Sequence, residues 1–118
     1  MGKPMILVCD DEKGVRESFN LILRKDYQLK FATNAIEAVD AIGEKQPDLL
    51  IMDIKMPKID GIYALREIKK IHPKLKVIIL TGYRSIEIAK EATKLGAVDY
   101  ILKPFDIKHV LATIKKAL

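Results

Sequence analysis

A chain of 118 residues, 49% of them hydrophobic and 31% charged, has room for one buried core and not for two, so we expect one domain over residues 1–118. No apolar run approaches the roughly 20 residues a membrane span needs, and Met1-Gly2-Lys3-Pro4 leads into a strand-like run without a signal-peptide pattern, so neither membrane attachment nor export is expected. The formal net charge of +5, from 21 basic and 16 acidic residues, raises nucleic-acid binding, but Arg66, Lys69, Lys70, Lys74 and Lys76 recur at solvent-facing spacing without interleaved aromatics, as on a solvated face.

In chain order, Met5 to Cys9 is a short apolar run, followed by the acidic cluster Asp10-Asp11-Glu12 and then by Val15, Phe19 and Ile22 at helical spacing. The unit returns with Leu29 to Ala32, after which Asn34 and Glu37 form an N-cap signal before Ala38, Val39 and Ile42, and Pro47 closes that helix from outside. Leu49 to Met52 is apolar throughout, as expected of a strand covered on both faces. Asp60-Gly61 opens a helix carrying Leu65, Ile68 and Ile71 on its inner face. Val77 to Leu80 repeats the buried-strand pattern, and Ser85 caps a helix with Ile88, Ala92 and Leu95 inside. Gly96 stands where a left-handed C-terminal cap is wanted. Val98 to Leu102 makes the fifth strand, and Asp106 caps a last helix with Val110, Ile114 and Leu118 inward. The single cysteine, Cys9, has no partner for an internal disulfide and lies in an apolar run, which fits a buried, unreactive thiol in a reducing cytoplasm.

Five strands alternating with five helices, without polar alternation in the inner strands, predict an α/β fold: a parallel sheet covered on both faces. Right-handed crossovers favour a doubly wound, flavodoxin-like five-stranded sheet of order 2-1-3-4-5. In such a sheet ligands bind beyond the carboxyl ends of the strands, near the point where strand order reverses. The residues there are Asp10 and Asp11, Asp53, Thr81 and Lys103. Strands one and three are then neighbours about 4.8 Å apart, which gathers three carboxylates into one pocket. Their repulsion calls for a hard cation with oxygen ligands, and magnesium suits a site with few carboxylates and room for water and phosphate oxygens. With the cation in place Asp53 is a nucleophile toward phosphorus, forming an acyl phosphate. Lys103 supplies a point charge, and the Thr81 hydroxyl donates to a phosphoryl oxygen. Taken singly, each of these is an ordinary cap, turn, strand end or loop residue; complementary groups on four strand ends are much harder to explain that way.

These residues resemble the receiver domains of bacterial two-component response regulators over essentially the whole chain. The resemblance runs through Ile6-Leu7-Val8-Cys9-Asp10-Asp11-Glu12, Leu50-Ile51-Met52-Asp53-Ile54-Lys55-Met56-Pro57, Asp60-Gly61 and Leu80-Thr81-Gly82, to Gly96-Ala97-Val98-Asp99-Tyr100-Ile101-Leu102-Lys103-Pro104-Phe105. It implies the fold of the chemotaxis response regulator, a (βα)5 receiver, with Asp53 as phosphoacceptor and Asp10 and Asp11 as the acidic pair. Asp11 is then the direct magnesium ligand and Asp10 acts largely through water. The backbone carbonyl of Lys55 is the further protein ligand, Thr81 the switch hydroxyl, Tyr100 the aromatic that moves inward with it, and Lys103 the phosphate-binding lysine, ahead of a cis peptide at Pro104. Lys55 and Tyr83 fall at positions that tune the lifetime of the phosphorylated state. Cys9 replaces a more usual aliphatic residue. His72 and His109 fall on helix surfaces away from the acidic pocket.

The implied function is phosphoryl transfer from a sensor histidine kinase or histidine phosphotransfer protein to Asp53, read out around the fourth helix, fifth strand and fifth helix. It implies a switch in the cytoplasm rather than a turnover enzyme. An effector domain or downstream protein, and a phosphorylation-dependent homodimer, stay open. Two rival functions are weighed against it. An aspartyl-phosphate phosphatase resembles Asp-x-Asp, whereas this chain has Asp53-Ile54-Lys55, which lacks the general acid. A basic nucleic-acid-binding module would show affinity that collapses with salt whether or not Asp53 is modified.

Overall fold

In a computed structural model, which describes residues 2–55, 60–82 and 86–118, strands and helices alternate from end to end. The order is β1 (Met5–Cys9), α1 (Lys13–Leu23), β2 (Gln28–Ala32), α2 (Ala35–Glu44), β3 (Leu49–Asp53), α3 (Gly61–Ile71), β4 (Lys76–Gly82), α4 (Ile86–Lys94), β5 (Asp99–Lys103) and α5 (Ile107–Ala117). All four strand pairings are parallel, in the order β2-β1-β3-β4-β5, so the expected doubly wound sheet is the fold observed. Strand order reverses between β1 and β3, and the crevice above their carboxyl ends is where such sheets bind ligands.

The pleat explains why the inner strands carry unbroken apolar runs. Ile6 and Val8, Leu49 and Ile51, and Ile78 and Leu80 face one way, into a core completed by Phe19 and Leu23 of α1 and Val110 and Ile114 of α5. Their neighbours Leu7 and Cys9, Leu50 and Met52, and Val77 and Ile79 face the other way, into a core with α2, α3 and Ala92 of α4. Period-two geometry with both faces covered demands apolar residues at every position.

The strands run further than their apolar stretches. Asp53, Thr81 and Lys103 lie within β3, β4 and β5 rather than after them, because apolarity marks burial and not the end of the hydrogen-bond ladder. Val98 precedes β5 and is exposed, although its N–H donates to the Val77 carbonyl at 2.8 Å. Ile71 also departs from its expected inward position and is 67% exposed. It is the last residue of α3 and, at 3.6 residues per turn, falls about a third of a turn from the middle of the stripe of Ile62, Leu65 and Ile68. Leu118 is likewise partly exposed, beyond the end of α5.

Caps fix the helix ends. The Asn34 side chain accepts from the Glu37 N–H at 2.9 Å, while the Glu37 carboxylate accepts from both the N–H and the hydroxyl of Thr33 at 2.6 and 2.7 Å. Asn34→Ala is expected to lower stability by about 1 kcal/mol, the usual cost of a lost N-cap, measurable by urea unfolding. At the other end of α4, Ala97 N–H donates to the Ala92 carbonyl and Gly96 N–H to that of Thr93, a Schellman closure that needs the positive φ of 111° at Gly96. The cap expected from Ser85, the Met56-Pro57 end of the motif and the role implied for Tyr83 lie outside the described residues. Among the described residues no helix is long and apolar enough to cross a membrane.

Candidate functional site

Pleat alternation decides which side chains meet. Asp10 follows Ile6 and Val8 in phase, Asp53 follows Leu49 and Ile51, and Lys103 follows Ile101, so all three start from the face of the sheet covered by α1 and α5. There they touch. The Lys103 ammonium donates to Asp53 Oδ2 at 2.7 Å and to Asp10 Oδ2 at 2.9 Å, and it stands 3.7 Å from Glu12 Oε1. Lys103 ends β5; the peptide that follows it, Lys103-Pro104, is cis, and the next ring, Phe105, meets that of Phe19 at 5.0 Å between centroids. The expectation of a cis bond before Pro104 is thus met.

Asp10 is fully buried, and Asp53 is 5% exposed. Each carboxylate also accepts a nearby backbone donor, from Glu12 N–H to Asp10 Oδ1 at 2.8 Å and from Lys55 N–H to Asp53 Oδ1 at 2.9 Å. Asp10, Asp11, Glu12 and Asp53 each bring a carboxylate oxygen within 4.8 Å of the others. Such a donor set is all oxygen and strongly anionic, which fits a hard cation and not a soft one.

Burial pushes the Asp53 carboxyl above its ordinary value; the bonds from Lys103 and Lys55 pull the other way without cancelling it, and Asp10 adds repulsion. For Lys103 burial lowers the pKa, but bonding to Asp53 and Asp10 outweighs it and the net shift is upward. The two directions agree physically, since one ammonium serves two carboxylates and each carboxylate gets only a share of it. Burial, reinforced by Asp10 and Asp53, drives the Cys9 thiol up to about 12, and the thiol donates to the Asn34 carbonyl at 3.3 Å. At neutral pH it is no nucleophile.

A stability prediction follows from Asp53. Protonation of a group whose folded pKa is raised stabilises the fold fully below the unfolded value, near 3.8, and that contribution is lost as pH rises through the folded value. In the absence of divalent cation, Asp53→Asn is therefore expected to be more stable than the wild type at neutral pH, by about 1 kcal/mol, the scale of a single substitution. The advantage is expected to vanish below pH 4, and paired urea titrations at neutral and acid pH check both halves.

The remaining expected residues are placed less directly. Thr81 is buried on β4 one position past Leu80, the register partner of Asp53, and its hydroxyl lies 3.4 Å from the Gly82 carbonyl. Tyr100 on β5 pairs in register with Ile79 and packs on the core beside α4. By alternation Thr81 and Tyr100 belong to that same face. The Lys55 side chain is exposed while its N–H is bound to Asp53. Asp11 is exposed at the mouth of the acidic group. His72 bonds Gln46 at 3.2 Å and His109 lines a cavity beside Tyr100, both outside the acidic group.

Two groups were missed by reading strand ends alone. Glu12 joins the acidic cluster, and the Arg16 guanidinium donates to the Asp10 carbonyl at 2.8 Å, fixing the backbone that aims Asp10. The signal for Glu12 was available, since it completes the acidic triplet, whereas a bond from Arg16 to a main-chain carbonyl has no counterpart in residue type. Of the basic residues on and after α3, Lys69 binds the carbonyls of Pro73 and Leu75 at 2.9 and 2.8 Å. Lys70 pairs with Glu67 at 3.1 Å.

The model of the response regulator receiver domain family matches residues 6–115. The chain belongs to the response regulator receiver family. This receiver is 38% identical over 114 residues to sporulation initiation phosphotransferase F of Bacillus subtilis (strain 168), covering 96% of this chain and 92% of that protein. It is 40% identical to the transcriptional regulatory protein ZraR of Escherichia coli (strain K12) across 96% of its own length but only 26% of ZraR, so the receiver spans about a quarter of that longer relative. The receiver domain of NtrX from Brucella abortus superposes with a TM-score of 0.92 at 37% identity, covering 96% of this chain and 97% of that one.

Proposed function

We propose that Asp53 of this receiver accepts a phosphoryl group from a phosphorylated histidine on a partner kinase or phosphotransfer protein. The observation that carries the reading is the contact of one ammonium, Lys103, with two buried carboxylates at 2.7 and 2.9 Å. Such a lysine is poised to turn from a carboxylate to a phosphoryl oxygen as charge arrives. Asp53 Oδ attacks phosphorus, the P–N bond to the histidine breaks, and the imidazole leaves with a proton taken from solvent. The product is an acyl phosphate on Asp53.

Asp10, Asp11, Asp53 and the Lys55 carbonyl would hold a magnesium ion, in keeping with the all-oxygen cluster. When bound, it offsets the repulsion between carboxylate and phosphoryl oxygens. Lys103 then neutralises one phosphoryl oxygen, and the Lys55 N–H orients the carboxylate. Thr81 donates to a second oxygen, and Tyr100, on the same sheet face, follows it inward, altering the surface around α4, β5 and α5. The protein is a switch in the cytoplasm and not a turnover enzyme, and it hands its state to an effector domain, a downstream protein or a second copy. Lys69 and Lys70 are engaged within the fold, which favours a solvated basic face over direct nucleic-acid contact.

The test is incubation with magnesium and a small acyl-phosphate donor, or with beryllofluoride. Intact-mass analysis should show one phosphoryl adduct, and amide spectra should shift around Thr81 and Tyr100, in the wild type only. An Asp53→Asn protein that responds as the wild type does would end this assignment.

A further inference from the structure

Four of the large apolar side chains that the fold leaves in solvent gather on one face. Ile36 and Val39 of α2, and Tyr63 and Ile71 of α3, are between 42% and 67% exposed. They line two adjoining cavities of about 180 and 60 Å³ between the helices, joined through Val39 and Glu67, which border both. The result is one trough. On α3 its wall is the stripe Tyr63, Glu67, Ile71, spaced by four residues, so the trough runs for about 12 Å, a little over two helical turns.

Its charged lining is of one sign. Asp40 and Glu67 are the carboxylates at its edge, whereas Glu44, farther along α2, is paired with Lys30 at 3.6 Å and lies outside the trough. Lys70 pairs with Glu67 at 3.1 Å, while Asp40 has no ion pair or hydrogen bond among the described residues. On a chain of net charge +5 the described lining of this apolar floor holds two carboxylates and no lysine or arginine.

We infer that the α2–α3 trough is a docking groove for a basic amphipathic helix of a partner protein, one that sets aliphatic side chains at i, i+4 and i+7 into the floor and lysine or arginine against Asp40 and Glu67. A helix laid in a groove is read through that spacing, and complementary potentials set its orientation and choice of partner. A second copy packed two-fold through the same face would bring the acidic rims together, and a head-to-tail copy would not close. Anionic lipid would be repelled by the same rim. The inference does not depend on the phosphorylation of Asp53.

The probe is a synthetic helical peptide of about 14 residues, long enough to cover the groove, with leucines at i, i+4 and i+7 and lysines flanking them, beside a twin with glutamates in place of the lysines. Both are titrated into the full chain at low salt and followed by amide chemical shifts and fluorescence anisotropy. The lysine peptide is expected to bind about tenfold tighter than its twin, to shift Ile36, Val39, Tyr63 and Ile71, and to do so in wild type and Asp53→Asn alike. The exposed double variant Asp40→Lys/Glu67→Lys is expected to reverse the order of the two peptides, and Ile71→Glu to abolish binding of the lysine peptide. Equal binding of the two peptides, shifts confined to α4, β5 and α5, or self-association lost in Ile71→Glu would each overturn the inference.

Discussion

Truncating Lys103 to alanine is expected to lower the unfolding free energy by about 3–5 kcal/mol at neutral pH in metal-free buffer, the usual cost of removing one partner from a buried ionic cluster. The residue is only 21% exposed in its side chain, and it contacts Asp10 and Asp53, the one fully buried and the other nearly so. Without it two carboxylates share a site of low polarity, and one of them must take up a proton or the fold must open. The variant is therefore expected to recover toward the wild type as pH falls into the acid range. In the wild type the raised pKa of Lys103 carries the opposite signature, since its contribution is complete below the ordinary lysine value of 10.5 and lost as pH rises through the folded value. Lys103→Met, which keeps the aliphatic stem, separates charge from packing. Wild-type urea midpoints for both variants at neutral pH would mean that the ammonium holds nothing in place. If the proposed chemistry is right, both variants also lose capture of the phosphoryl group, a second and independent readout.

Gly61→Ala is the second large effect. A Cβ on Gly61 would lie 2.5 Å from both the Cα and the carbonyl oxygen of Ile54. These are backbone atoms that cannot rotate aside, and the Gly61 N–H is itself bonded to that carbonyl at 3.1 Å. Overpacking of this kind costs about 1–3 kcal/mol, and here relief comes only from moving the segment that follows Asp53. The Lys55 N–H, which holds Asp53 Oδ1, moves with it. Loss of stability together with a weakened response to beryllofluoride is the expected result. Gly14→Ala, at a helix position where a Cβ meets nothing within 4 Å, is the control and should leave both readouts intact. A Gly61→Ala protein with wild-type melting would show that Ile54 yields without effort.

The sheet was legible in the sequence because burial on both faces forces apolar residues at every strand position, as at Leu49 to Met52 and Val77 to Leu80. Helices were legible through caps such as Asn34, Asp60 and Asp106, each of which accepts a backbone N–H. The convergence of Asp10, Asp53 and Lys103 could be anticipated from strand order together with pleat alternation, since each stands at the carboxyl end of a strand and in phase with the same sheet face. Other features could not. Ile71 looks like a core residue by spacing, but it ends α3 and is exposed there, while Ala64, close to it in helical phase, is buried. The bond from Arg16 to a main-chain carbonyl leaves no trace in residue type, and neither does the contact that makes Gly61 irreplaceable. Strand ends were displaced by one or two residues for a similar reason: ladder hydrogen bonds depend on backbone position, which hydropathy does not report.

The ring contact between Phe19 and Phe105 ties α1 to the peptide that carries Lys103. Phe19 is fully buried, so the ring pair is a rigid bearing between the helix and the end of the fifth strand, and a substitution that loosens it would be felt at the Lys103 ammonium as well as in the packing of α1.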